Sequence, residues 1–69
     1  MGNIIRTRET QDDKLTAVVL QTGERATRPF NYNVDGYADH LKLALFLADG
    51  HEVRFVAFQR DGYTFEVIS

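Results

Sequence analysis

Residues 35–50, DGYADHLKLALFLADG, limit what this chain can fold into more than any other stretch. This is the one segment that reads as a helix, with strand-like alternation on both sides. Asp35 is placed to accept a hydrogen bond from the free N–H groups of the first turn. Asp39 adds negative charge near the positive end of the dipole. Gly50 suits the left-handed position that ends many helices. At about 100° per residue, Tyr37, Leu41, Ala44, Leu45, Leu47 and Ala48 share one broad face, the predicted core contact. Lys42 and Asp49 point away from it, and Leu43 sits at its margin. Phe46 falls on the outer side. It is there either as a singly exposed apolar residue or as a contact for a partner.

Strand patterns flank the helix. Residues 15–21 (LTAVVLQ) are apolar and β-branched. A turn at 22–25 follows, with Gly23 free to take positive φ. Residues 26–33 (ATRPFNYN) form the second strand. Pro29 cannot donate to a ladder, so this strand belongs at a sheet edge. After the helix come residues 52–59 (EVRFVAFQ) and 63–68 (YTFEVI). Asp61-Gly62 between them suits a two-residue type I′ turn. That loop sets Arg60 opposite Tyr63, Phe58 opposite Phe65 and Val56 opposite Val67, all on one face. Phe55 and Ile68 then face the other way. Residues 1–14 are mostly polar, with Ile4 and Ile5 able to seed a strand. They form an N-terminal arm or a short extra strand ahead of one small domain at 15–69.

The order ββαββ gives an α+β class: a four-stranded sheet, or five-stranded with the N-terminal segment, and one helix packed across one face. A right-handed crossover brings LTAVVL and YTFEVI together in parallel at the centre. This β-grasp arrangement resembles, in outline, the immunoglobulin-binding domain of protein G. The likeness is one of architecture, and it implies a fold and no function. An antiparallel meander plus helix, joined by residues 3–10, is the alternative.

Chemistry is sparse. With 69 residues the chain makes one domain with a small core. It has no cysteine, which excludes disulfides and thiolate zinc sites and is compatible with the cytoplasm. No apolar run approaches the length of a membrane span, and the N-terminus lacks a signal-peptide core. The only serine is Ser69, and no threonine has an evident base beside it. Asp39, His40, His51 and Glu52 match no metal-ligand spacing. The glycines are scattered and form no phosphate loop. Ten acidic against eight basic residues give a net charge of −2, which disfavours a general nucleic-acid binder. Expected, therefore, are no catalytic residues, no metal and no cofactor.

What remains is surface. If Val56, Phe58, Phe65 and Val67 lie beneath the helix, the opposite face carries Val53, Phe55, Ala57 and Ile68, joined by Val18 and Leu20. Such a patch marks an interface, unless the N-terminal arm folds back over it. The expectation is a small cytoplasmic regulator or inhibitor, of the kind phage and mobile-element genomes encode. It would bind a protein, itself or another, through a sheet face or edge, using Val18, Leu20, Val53, Phe55, Ile68 and Phe46. The alternatives are an accessory enzyme subunit or small-ligand binder whose site forms on oligomerisation, and a nucleic-acid-binding module.

Overall fold

The computed structural model describes residues 2–68. The elements run β1 (Ile4–Glu9), β2 (Lys14–Val19), β3 (Arg25–Pro29), α1 (Gly36–Ala48), β4 (Glu52–Gln59) and β5 (Gly62–Ile68). The strands form one open antiparallel sheet in the order β3-β2-β1-β5-β4. The helix packs on one face, giving the α+β class that the sequence implies. Among the described residues no helix is long and apolar enough to cross a membrane.

The N-terminal segment forms the central strand. Ile5 and Thr7 of β1 are buried between Leu15, Ala17 and Val19 on one side and Phe65 on the other. The strands that the crossover rule would bring into contact, β2 and β5, are both antiparallel to β1. They run in the same direction but are held apart by β1. The proline-bearing strand β3 is an edge, paired only with β2, and Pro29 lies at its end opposite Lys14.

Asp35 caps the helix, its Oδ2 accepting from the Ala38 N–H at 3.3 Å. The far end unwinds through two left-handed residues, Asp49 at φ 54° and Gly50 at φ 89°. The buried stripe is Asp39, His40, Leu43, Ala44 and Ala48. Leu43 is therefore core, and Leu45, expected on the core face, is exposed. The roll has a polar cause. Arg28 and Thr7 hold Asp39 and His40 inward. The stripe shifts to positions that share their side.

The β4–β5 hairpin departs from the expected register. Gln59 pairs with Gly62, so the two-residue loop is Arg60-Asp61 rather than Asp61-Gly62. None of Arg60, Asp61 and Gly62 has positive φ, so the turn is not type I′. A bulge at Val56 then shifts the register again. Phe55 faces Phe65, Val53 faces Val67 and Phe58 faces Tyr63. All of these lie on the helix side, whereas Ile68, opposite Glu52, lies on the open side. Phe55 and Val53 therefore do not share a face with Ile68, as the Asp-Gly loop had implied. Gly62 serves a different purpose: a Cβ there would sit 1.7 Å from the Thr7 carbonyl oxygen. Its lack of a side chain lets β5 lie against β1.

Candidate functional site

The residues expected to bind a partner separate onto three surfaces. Val18 and Ile68 lie on the open sheet face, and Leu20, just past β2, lines the same concavity as Val18. Val53 and Phe55 lie on the helix face, where Val53 packs against the core. Phe46 stands on the outer side of the helix, 73% exposed.

The β4 edge collects the most exposed apolar surface. α1 covers β1 and β2 and leaves β4 largely uncovered. Phe55 and Val56 are each 44% exposed and Phe58 is 75% exposed. Phe55 meets Tyr37 edge-on at 6.1 Å between ring centroids. One side of its ring therefore closes the core and the other faces solvent. Phe58, expected beneath the helix, lies on the helix side opposite Tyr63, borders a groove with Gly36 and His40 at the start of α1, and stays largely in water. The bulge at Val56 interrupts the edge ladder, a device that discourages uninterrupted strand addition.

The open face has a different character. One row across the sheet is Arg25, Val18, Arg6, Thr64 and Ala57. The next is Thr27, Thr16, Arg8, Gly62 and Gln59. Arg6, Arg8, Arg25, Thr10, Thr16, Val18, Leu20 and Gln59 line a concavity of about 670 Å³, with Asp61 the acidic residue among them. Nearby, Arg54 pairs with Glu66 at 2.6 Å and Lys14 with Asp12 at 3.6 Å. Arg6, Arg8 and Arg25 make no ion pair among the described residues. The net charge of −2 conceals this local excess, because strand alternation sends Glu9 to the helix side and Asp39 lies on the helix itself.

Between these surfaces lies a buried polar layer. Thr7 Oγ1 and His40 Nδ1 are 2.7 Å apart, and the Tyr63 N–H reaches Thr7 Oγ1 at 3.3 Å. Beside them, Arg28 of the edge strand donates to the Asp39 carboxylate, which also accepts from the Asn31 N–H at 2.9 Å. Asp39 is buried, which alone would favour its neutral form. The hydrogen bonds from Arg28 and Asn31 and the charge of Arg28 outweigh that and hold its carboxyl below the ordinary 3.8. Burial likewise pushes His40 below its ordinary 6.5, although Glu9, Asp39 and Asp61 pull the other way. Among the described residues, no group of three or more His, Cys, Asp or Glu is arranged to hold a metal ion.

This layer predicts acid sensitivity. The unfolded chain takes up a proton on its histidine before the folded chain does. The stability contributed by neutral His40 is therefore complete above 6.5 and is lost as pH falls through the lower folded value. Asp39 acts in the same direction below 3.8. Urea midpoints measured from about pH 7.5 down to about pH 5 should decline, and the slope should flatten in His40→Gln.

The sequence missed both polar pairs. One signal for them was available: Arg28 occupies the inward phase of β3, with Ala26, and an inward arginine needs a counter-ion. Comparison with protein-family models, curated proteins and solved structures finds no match.

Proposed function

We propose that this chain is a protein-binding module that acts as a small regulator or inhibitor by occupying a partner's surface through the β4 edge. The observation that carries the reading is the exposed run Phe55, Val56 and Phe58 on a strand paired on one side only. A monomeric domain seldom leaves contiguous aromatic and aliphatic side chains in water without use. Aromatic anchors of this kind dominate binding energy at protein interfaces. The bulge argues for recognition through side chains more than through an extended backbone ladder. A binding role also suits a chain with so few nucleophiles. Its size and cysteine-free composition fit cytoplasmic regulators of the kind phages encode, an analogy of profile alone.

Phe58→Asp tests this. The substitution should leave the fold within about 0.5 kcal/mol of the parent, because the ring is mostly in solvent. It should abolish capture of a partner that the parent retains from a lysate of its host. Light scattering on both proteins would identify self-association, which the same substitution should disrupt. Equal capture and equal mass for the two proteins would remove the β4 edge as the docking element.

A further inference from the structure

The open face of the sheet, on the opposite side from the exposed rings of β4, carries a second feature. Arg6 and Arg8 point from the same face of β1, about 7 Å apart along the strand. Arg25 projects from β3, in the same row as Arg6 and two strands away, about 10 Å across. None of the three has a carboxylate partner among the described residues, whereas Arg54 and Lys14 on the same face do. Three like charges gathered without counter-ions repel one another. A chain of net charge −2 does not acquire such a cluster from a generally basic composition. The space they surround, about 670 Å³, is the size of a small-molecule site. Hydroxyls of Thr10 and Thr16, the Gln59 amide and the apolar Val18 and Leu20 complete its lining. Asp61, at the hairpin end, is the acidic residue among them and disfavours an anion only at that end.

We infer that this concavity binds a small oligophosphate, with Arg6, Arg8 and Arg25 each holding phosphate oxygens. Guanidinium forks match phosphate geometry bidentately. The Thr16 hydroxyl, 3.1 Å from Thr27 Oγ1, adds a neutral donor where Thr27 donates to it, whereas the Thr10 hydroxyl already donates to Asp12. No aromatic ring lines the concavity. A nucleobase would find no stacking platform there, and recognition falls on the phosphates themselves.

The test is a titration of the isotope-labelled protein with sodium tripolyphosphate at constant ionic strength, followed by amide chemical shifts. The expected result is saturable shifts confined to β1, β2 and β3 around Arg6, Arg8, Thr16, Val18 and Arg25. Adenosine triphosphate should give similar affinity, because its base adds no contact. Arg8→Gln and Arg25→Gln should each weaken binding by about tenfold, the usual loss of a charge-assisted contact. Phe58→Ser, which removes the exposed ring without adding charge beside Gln59, should leave it unchanged, which separates failure here from failure of the β4 reading. Linear, non-saturating shifts would overturn the proposal, as would equal affinity in the arginine variants. So would tighter, steeply salt-dependent binding of a mixed-sequence oligonucleotide to the same face, which would assign the arginines to a nucleic-acid backbone.

Discussion

Gly62→Val is expected to leave the chain largely unfolded. Gly62 is buried at the start of β5, opposite Arg8 of β1 and Gln59 of β4. An added Cβ would fall 1.7 Å from the Thr7 carbonyl oxygen and 2.7 Å from the Arg8 Cα. Both are backbone atoms of the central strand and cannot swing aside as a flexible side chain would. Relief requires β5 to separate from β1 along the ladder that joins the two halves of the sheet. Overpacking costs about 1–3 kcal/mol where side chains can yield, and more where backbone must move. A domain of this size has a total stability of roughly 3–10 kcal/mol. Thermal melts by circular dichroism should show a lost or strongly lowered transition. Even Gly62→Ala should be markedly destabilised, because the clash begins at Cβ. A melt of Gly62→Ala close to the parent would mean that β1 and β5 are not this closely apposed.

Phe65→Ala should be the second most damaging change. Phe65 is fully buried and pairs with Ile5 on one side and Phe55 on the other. Its ring lies 6.0 Å from Tyr37 and 6.3 Å from Tyr63. Removing it opens a cavity at the junction of β1, β5, β4 and α1, at a cost of about 3–5 kcal/mol. Phe58→Ala, seven residues earlier in the same hairpin, should cost under about 1 kcal/mol because its ring is already hydrated. Urea denaturation of the two variants measures the contrast. Similar losses for both would restore the register in which Phe58 and Phe65 face each other.

That contrast also shows where sequence reasoning reached its limit. The helix was legible from its caps and apolar repeat, and the edge position of β3 from Pro29. Both are local signals whose physical cause sits within a few residues. The hairpin register was not legible. Asp61-Gly62 carries a strong local preference for a type I′ turn, but Gly62 is consumed by a non-local demand, the close approach of Thr7. Moving the loop by one residue changes each pairing by two, so Phe58 keeps its face and only exchanges Phe65 for Tyr63, whereas the bulge at Val56 turns Val53 and Phe55 onto the helix side. Without the bulge, alternation assigned Phe55 to the open face, and the wrong partner placed Phe58 in the core. The arginine cluster was hidden for a related reason. Arg6, Arg8 and Arg25 come together only because β2 lies between β1 and β3, an arrangement that net charge does not register. Asp39 and His40 sit on a helix flank that reads as solvated until Arg28 and Thr7 are brought to it.

The central position of β1 has a consequence for how the sheet opens and closes. Thr7 and Tyr63 are hydrogen-bonded across 56 residues of chain. The hairpins β2–β3 and β4–β5 share no ladder except through β1. A two-stranded hairpin alone is marginal in water. The β1–β2–β3 meander closes through short turns, whereas the β4–β5 hairpin has only one strand partner, β1, and reaches it across most of the chain. The long loop must close before the central ladder exists, which places this small domain among the high-contact-order folds that form slowly for their length. The same arrangement governs fluctuations of the native state. The β3 end and the β4 edge can fray without parting the sheet, and their amides exchange with solvent through small openings. The amides of β1 that bond to β5 exchange only when the two halves separate, and their rate reports the opening of the central ladder.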